Sequence, residues 1–156
     1  MNPSWRLLAA VLLTTAWLGG ALLTVAVVAP RAFAVLPSRA MAGALVGSVL
    51  PALFLTGLLL AVAVALLSGG RGASAGAAAA ALLAGAACAV AQFGIDPRIS
   101  RLRAEIGGPV ELLSTDDPRR VAFGLLHEYS VAGLGVAMLA ATVSLAFLLF
   151  ALRERS

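Results

Sequence analysis

Lysine is absent from this 156-residue chain: its 11 basic residues are all arginine, set against 7 acidic ones. It has one cysteine and one histidine, and charged residues make up only 12% of the total. Each shortage excludes something. Soluble domains carry about 25% charged residues, so this chain has too few charges to coat a water-facing globule. A single cysteine excludes an internal disulfide framework and a dithiol redox pair. One histidine and one cysteine fall short of the three or four ligands of an ordinary zinc site, and no metal site is expected. Catalytic signatures are missing as well. There is no phosphate-binding glycine loop and no G-x-S-x-G elbow, and His127-Glu128 is followed at position 131 by Val131 rather than by the second histidine of H-E-x-x-H.

What is abundant is apolar: 62% of the residues are hydrophobic and the mean hydropathy is +1.03. A hydrocarbon core of roughly 30 Å needs about 20 apolar helical residues. Four uncharged runs meet that length: Leu7 to Ala29, Ala40 to Leu67, Ala73 to Ile95, and Tyr129 to Leu152, the last within a helix entering the membrane near residue 121. The expected fold is therefore all-α, an integral-membrane four-helix bundle forming one transmembrane domain over residues 1–156. A multi-pass protein of a bacterial inner membrane is the expected location. Arg6 before an apolar run and Ala32-Phe33-Ala34 after it imitate a signal peptide. The run is longer than a 7–15-residue signal core, however, so it reads as an uncleaved span.

The connections differ in character. Ser68-Gly69-Gly70-Arg71-Gly72 is a tight turn between antiparallel neighbours, and Pro30 to Arg39 is also short. The segment from Asp96 to Pro118 is longer and amphipathic. Asp96-Pro97 reads as an N-cap and first-turn proline, after which Ile99, Leu102 and Ile106 share a face. This predicts a short interfacial helix between spans three and four. Gly107-Gly108-Pro109 stops it, and Asp117-Pro118 starts the next helix by the same device.

Loops one and three hold Arg31, Arg39, Arg98, Arg101, Arg103, Arg119 and Arg120, against Arg6, Arg71, Arg153 and Arg155 at the other end. The positive-inside rule then places both termini outside. These membrane-flanking arginines account for a pI near 11.0. Lipid bilayer and anionic headgroups are the expected partners, and no nucleic acid is. Gly43 and Gly47, Gly20 and Thr24, and the Ala- and Gly-rich third span have the small-xxx-small spacing that lets membrane helices approach. Pro51 predicts a kink, since its ring clashes with the Gly47 carbonyl.

Ionisable and polar groups near a membrane interior are costly, which makes them site candidates. His127 and Ser130 share a face of the last helix with Arg120, Phe123 and Leu134, while Glu128 points about 100° away. A proton-handling His–Glu site is one reading, and interfacial residues satisfied by water is the plainer one. Trp17 lies mid-span and its indole N–H needs a partner or a cavity. Gln92 is a second buried polar group, with His127 or the backbone freed at Pro51 as partner, and Cys88 reads as a small buried hydrophobe. Arg31, Arg98 and Arg103 complete a polar mouth with His127, Glu128 and Ser130 at the end carrying loops one and three.

Several short patterns recur in order: Trp17-x-Gly19, Pro30-x-x-Phe33-x-x-Leu36, Ala42-Gly43-x-Leu45-x-Gly47, Asp96-Pro97-x-Ile99-x-x-Leu102-Arg103 and Phe123-x-x-Leu126-His127-x-x-Ser130. In these the chain resembles the bacterial four-span membrane family known as domain of unknown function 4149, which is similar to the transmembrane protein 205-like family of eukaryotes. The family pattern has glycine after the histidine and a polar residue soon after the serine, where this chain has Glu128 and Val131. The resemblance implies an integral membrane protein, and its eukaryotic side implies tolerance of toxic compounds. A more distant similarity, to membrane proteins that hold haem or handle copper, including a bacterial protoporphyrinogen oxidase type, implies His127 as an axial ligand of haem b, one per chain. The resulting expectation is a non-enzymatic bundle without cofactor, acting as a homo-oligomer or membrane partner subunit with a transport or stress-tolerance role. A haem-binding oxidoreductase is the alternative.

Overall fold

The computed structural model describes residues 4–69 and 72–154, so Arg71 and Arg155 of the orientation count lie outside the described residues. Among the described residues every regular element is helical. Helix α1 (Ser4–Leu23) runs through a π turn (Thr24–Val28) into α2 (Ala29–Val35). After three residues α3 (Arg39–Ser68) follows. Helix α4 (Ala73–Ala89) runs through a second π turn (Val90–Ile95) into α5 (Asp96–Ile106). A 3₁₀ turn (Val110–Leu112) precedes α6 (Pro118–Arg153). The four continuous rods Trp5–Val35, Arg39–Ser68, Ala73–Ile106 and Pro118–Arg153 are each long and apolar enough to cross a membrane. The molecule is an all-helical, multi-pass membrane protein.

The amphipathic helix between spans three and four is present, but it does not begin as expected. Asp96 is helical, at φ −55° and ψ −43°, and its N–H bonds to the Ala91 carbonyl five residues back. It is therefore no N-cap, and α5 continues the third rod. The cause is Pro97, whose ring would strike the Phe93 carbonyl in an ideal α-helix. Widening the preceding turn relieves the clash without ending the helix. Pro30 acts in the same way, with the Ala29 N–H bonded to the Thr24 carbonyl. The second Asp-Pro pair does start a helix. Asp117 is extended, at ψ 123°, and its carboxylate accepts from the Arg119 N–H at 2.8 Å. The Arg119 side chain, also bonded to it at 2.8 Å, holds the Asp117 carboxyl below its usual range. Gly107 ends α5 in the left-handed region, at φ 65°, where a β-carbon would be strained.

Bilayer lipid supplies no hydrophobic drive between helices, so close backbone approach must hold them together. Helix α4 shows how. Its buried face is Ser74, Ala77, Ala80, Ala81, Ala84, Gly85 and Cys88, and it packs chiefly on α6 and α3. A β-carbon at Gly85 would stand 2.8 Å from Ala61 Cβ. Two clusters form the core. One, toward the termini, gathers Leu7, Ala10, Val64, Ala77, Ala81, Leu148 and Ala151. The other, at mid-bundle, gathers Trp17, Phe54, Cys88, Leu134 and Ala137 with their neighbours. Large side chains such as Leu12, Leu59, Leu66 and Leu139 point outward and are exposed, as lipid-facing positions should be.

Several polar groups of the bundle find internal acceptors. The Trp17 indole N–H donates to the Leu53 carbonyl at 3.0 Å, the partner its mid-span position demanded. Ser144 donates to the Ala77 carbonyl at 2.8 Å and ties α6 to α4. At the end away from loops one and three, Arg6 donates to Leu66 O at 2.6 Å, satisfying one of the orphan carbonyls closing α3. Gln92 corrects the expectation for it: its buried Oε1 meets neither His127 nor the backbone near Pro51 and has no hydrogen-bond partner.

Candidate functional site

The tight core stops short of the end that carries loops one and three. Between Ala42 and Leu53 no residue of α3 is buried, and α6 buries nothing before Ser130. The helices part there around a cleft of about 770 Å³.

Three helical faces line it, each repeating at the spacing of one side of a helix. From α3 come Arg39, Gly43, Gly47, Leu50 and Pro51; from α5, Asp96, Ile99, Ser100 and Arg103; from α6, Phe123, His127 and Ser130. Phe33 of α2 closes one side, and Gly108, Pro109, Val110 and Glu111 form the roof. By helical rise, the α3 face runs about 18 Å from Arg39 to Pro51, from the loop end toward mid-bundle. Its deeper part is apolar, with Val46, Leu50 and Pro51. Pro51 also leaves the Gly47 carbonyl without its helical donor.

Arg103 is the centre of the arrangement. Its Cζ lies 5.3 Å from the centroid of the Phe123 ring, a cation–π distance. On the other side its guanidinium covers α3, with Nη1 3.2 Å from where a Gly47 β-carbon would be and Nη2 3.8 Å from that of Gly43. The Gly43/Gly47 face thus receives an arginine, where the spacing predicted another helix. Phe123 in turn stacks on His127, the ring planes 2° apart and the centroids 6.5 Å apart. Arg103 is an exposed residue whose guanidinium rests between Phe123 and the two glycines. Among the described residues no hydrogen bond or ion pair satisfies its donors, and the one salt bridge joins Asp117 and Arg119.

Ser130 is the second unusual group. Thr14, Thr24, Ser48, Thr56, Ser68 and Thr142 all bond back to a carbonyl in their own helix. Ser130, only 6% exposed and lining the cleft, makes no such bond, and neither do the exposed Thr15 and Ser100, the second of which also lines the cleft.

Of the six residues assigned to a polar mouth, the structure brings Arg103, His127 and Ser130 into one cleft. Arg31, Arg98 and Glu128 are exposed and outside its lining. Arg39, Asp96 and Glu111 belong to it and were not singled out. In the sequence Arg39 stands out only as a loop-one arginine bounding the second span, and Asp96 only as half of an Asp-Pro helix-start signal. Arg120 shares the helical face of His127 but is not in the cleft lining; it donates to the Leu113 carbonyl at 2.7 Å.

Fold and cleft together define a multi-pass helical membrane protein with an arginine stacked on Phe123 in a cleft between α3, α5 and α6. The chain belongs to the family described as Domain of unknown function (DUF4149), which residues 12–107 match. That match includes Gly43, Gly47, Asp96 and Arg103 and ends before Phe123, His127 and Ser130. No curated protein and no solved structure matches the chain.

Proposed function

We propose that this protein is a membrane-embedded binding protein, not an enzyme, whose cleft takes the polar head of an amphiphile and whose apolar depth takes part of its tail. The observation that carries the reading is Arg103. Its guanidinium is positioned by Phe123 and the two glycines, yet its donors meet no acceptor of the described chain. Guanidinium forks match phosphate and carboxylate oxygens, and Ser130 adds a hydroxyl below. Arg39 at the rim supplies further positive charge. A homo-oligomer or a membrane partner would present such a site to a second chain, which suits a transport or stress-tolerance role.

The test is native mass spectrometry of the detergent-purified protein equilibrated with an equimolar mixture of phosphatidylglycerol and phosphatidylethanolamine of identical acyl chains. Wild-type protein is expected to retain bound lipid. Arg103→Gln is expected to lose retention by about 10- to 100-fold, the worth of a charge-assisted hydrogen bond of about 1.5–3 kcal/mol. Equal retention by the variant overturns the proposal.

A second reading rests on His127. Its exposed imidazole lines the cleft, with Arg39 and Arg103 available to two propionates, so the residues present fit one haem held through a single axial ligand. It requires a Soret band in protein purified from haem-replete cells and its loss in His127→Ala. A colourless folded protein removes it.

A further inference from the structure

The charges around the cleft narrow the class of head it takes. Two guanidiniums, Arg39 and Arg103, and two carboxylates, Asp96 and Glu111, line the same cavity. Among the described residues none of the four makes a hydrogen bond or an ion pair, and the ion pair found there, Asp117–Arg119, lies elsewhere; Arg39, Arg103 and Glu111 are exposed and Asp96 is half-buried. A purely anionic head would satisfy the arginines while facing two carboxylates of its own sign. A purely cationic head would meet the converse. A head carrying both signs can answer a guanidinium and a carboxylate at once.

The order of these groups along the cleft also matters. Asp96 and Arg103 stand on one face of α5, seven residues and roughly 10 Å apart, with Arg103 nearer the loop end. Glu111 lies in the roof beyond it. An anionic group at Arg103 would therefore have its cationic group either outward at Glu111 or inward at Asp96. The outward choice matches a lipid whose tail runs down past Leu50 and Pro51. The cation called for is one with N–H donors. Carboxylates accept hydrogen bonds, whereas a quaternary ammonium is held by open aromatic faces, and Phe123 is already covered by Arg103 and His127.

Building on the binding reading above, we infer that the cleft recognises a zwitterionic head made of a phosphate and a primary ammonium. Arg103 and Ser130 hold the phosphate, and Glu111, with Asp96 as the inner alternative, holds the ammonium. Such a head occurs on a membrane lipid and on small soluble phosphoamines.

The experiment is competitive native mass spectrometry with phosphatidylethanolamine, phosphatidylglycerol and phosphatidylcholine of one acyl composition. Wild-type protein is expected to favour phosphatidylethanolamine over both others by about tenfold, the worth of one charge-assisted hydrogen bond. Glu111→Gln or Asp96→Asn, whichever carboxylate is engaged, is expected to bring that preference over phosphatidylglycerol toward unity while bound lipid persists. Soluble O-phosphoethanolamine is the second arm: displacement of lipid at low millimolar concentration assigns the site to the free zwitterion, and lack of displacement alongside the preference assigns it to the lipid. Phosphatidylglycerol binding as well as or better than phosphatidylethanolamine overturns the inference. If that result comes with loss of all lipid in Arg103→Gln, head binding stands and only the zwitterion is wrong. If Arg103→Gln retains lipid, both fall.

Discussion

Gly57→Ala is expected to destabilise the bundle by about 2–3 kcal/mol, the upper part of the range for adding a methylene to a packed core. Gly57 is buried where α3, α1 and α4 meet. A β-carbon there would stand 2.8 Å from Cys88 Sγ and 2.8 Å from both Cε2 and Cζ2 of the Trp17 indole. None of these is a loose chain end. The indole is pinned by its 3.0 Å hydrogen bond to the Leu53 carbonyl, and Cys88 is fully buried on α4. The new methyl must therefore break the indole hydrogen bond or push α4 away from α3. Reversible unfolding in detergent micelles measures the loss. Repeating Gly57→Ala in a Trp17→Phe background tests its cause. The smaller ring frees the indole's place, so the two changes should couple by about 1 kcal/mol or more. A Gly57→Ala protein as stable as wild type, or strictly additive effects, contradicts this account of the core.

Gly47→Leu is expected to abolish lipid retention as fully as loss of Arg103 itself, by about 10- to 100-fold, without altering a single charge. The three heavy atoms nearest a β-carbon at Gly47 all belong to the Arg103 guanidinium, with Nη1 at 3.2 Å. A leucine side chain occupies the guanidinium's place and drives it off Phe123. Because the displaced group is the end of a flexible side chain, the fold should tolerate the change. Unfolding within about 0.5 kcal/mol of wild type is expected, as for a surface substitution. Gly20→Leu is the matched control, since nothing lies within 4 Å of a β-carbon there, and it should retain lipid normally. Normal retention by Gly47→Leu would mean that the position of Arg103 on the α3 glycines does not matter to binding.

Much of the fold was legible because each signal is local. Apolar run length announces a span, and an αL glycine after Arg103 and Ile106 announces a helix end. The Asp117 cap needs only the residues beside it. Even the stack of Phe123 on His127 follows from their i, i+4 spacing. Other features were not legible. Asp96-Pro97 and Asp117-Pro118 are the same dipeptide, yet one lies inside a rod and the other starts a helix. The difference is that a widened turn at Val90–Ile95 absorbs Pro97. Each extra residue in such a turn rotates the downstream helix by about 100° relative to an ideal one, so a periodic reading across it misassigns faces. Within α5, beyond that turn, the spacing holds: Ile99, Leu102 and Ile106 form its half-buried side, and the cleft is lined by the adjoining Asp96, Ile99, Ser100 and Arg103.

The sequence by itself determined that this is a four-span helical membrane protein, since transfer of some 20 uncharged residues into lipid depends on composition and length and on no partner. It also determined that Trp17 must find an acceptor and that charged groups gather at the end holding loops one and three. Which of those groups share a cavity was decided only by tertiary structure. Helices in lipid dock wherever small residues let backbones approach, and the approach of α4 to α3 through Gly85 and Gly57 leaves the upper part of α3 apart from α6. Into that gap falls Arg103, against the bare backbone of Gly43 and Gly47. Arg31, Arg98 and Glu128, as charged and as near the membrane boundary, stay outside because no helix face turns them inward.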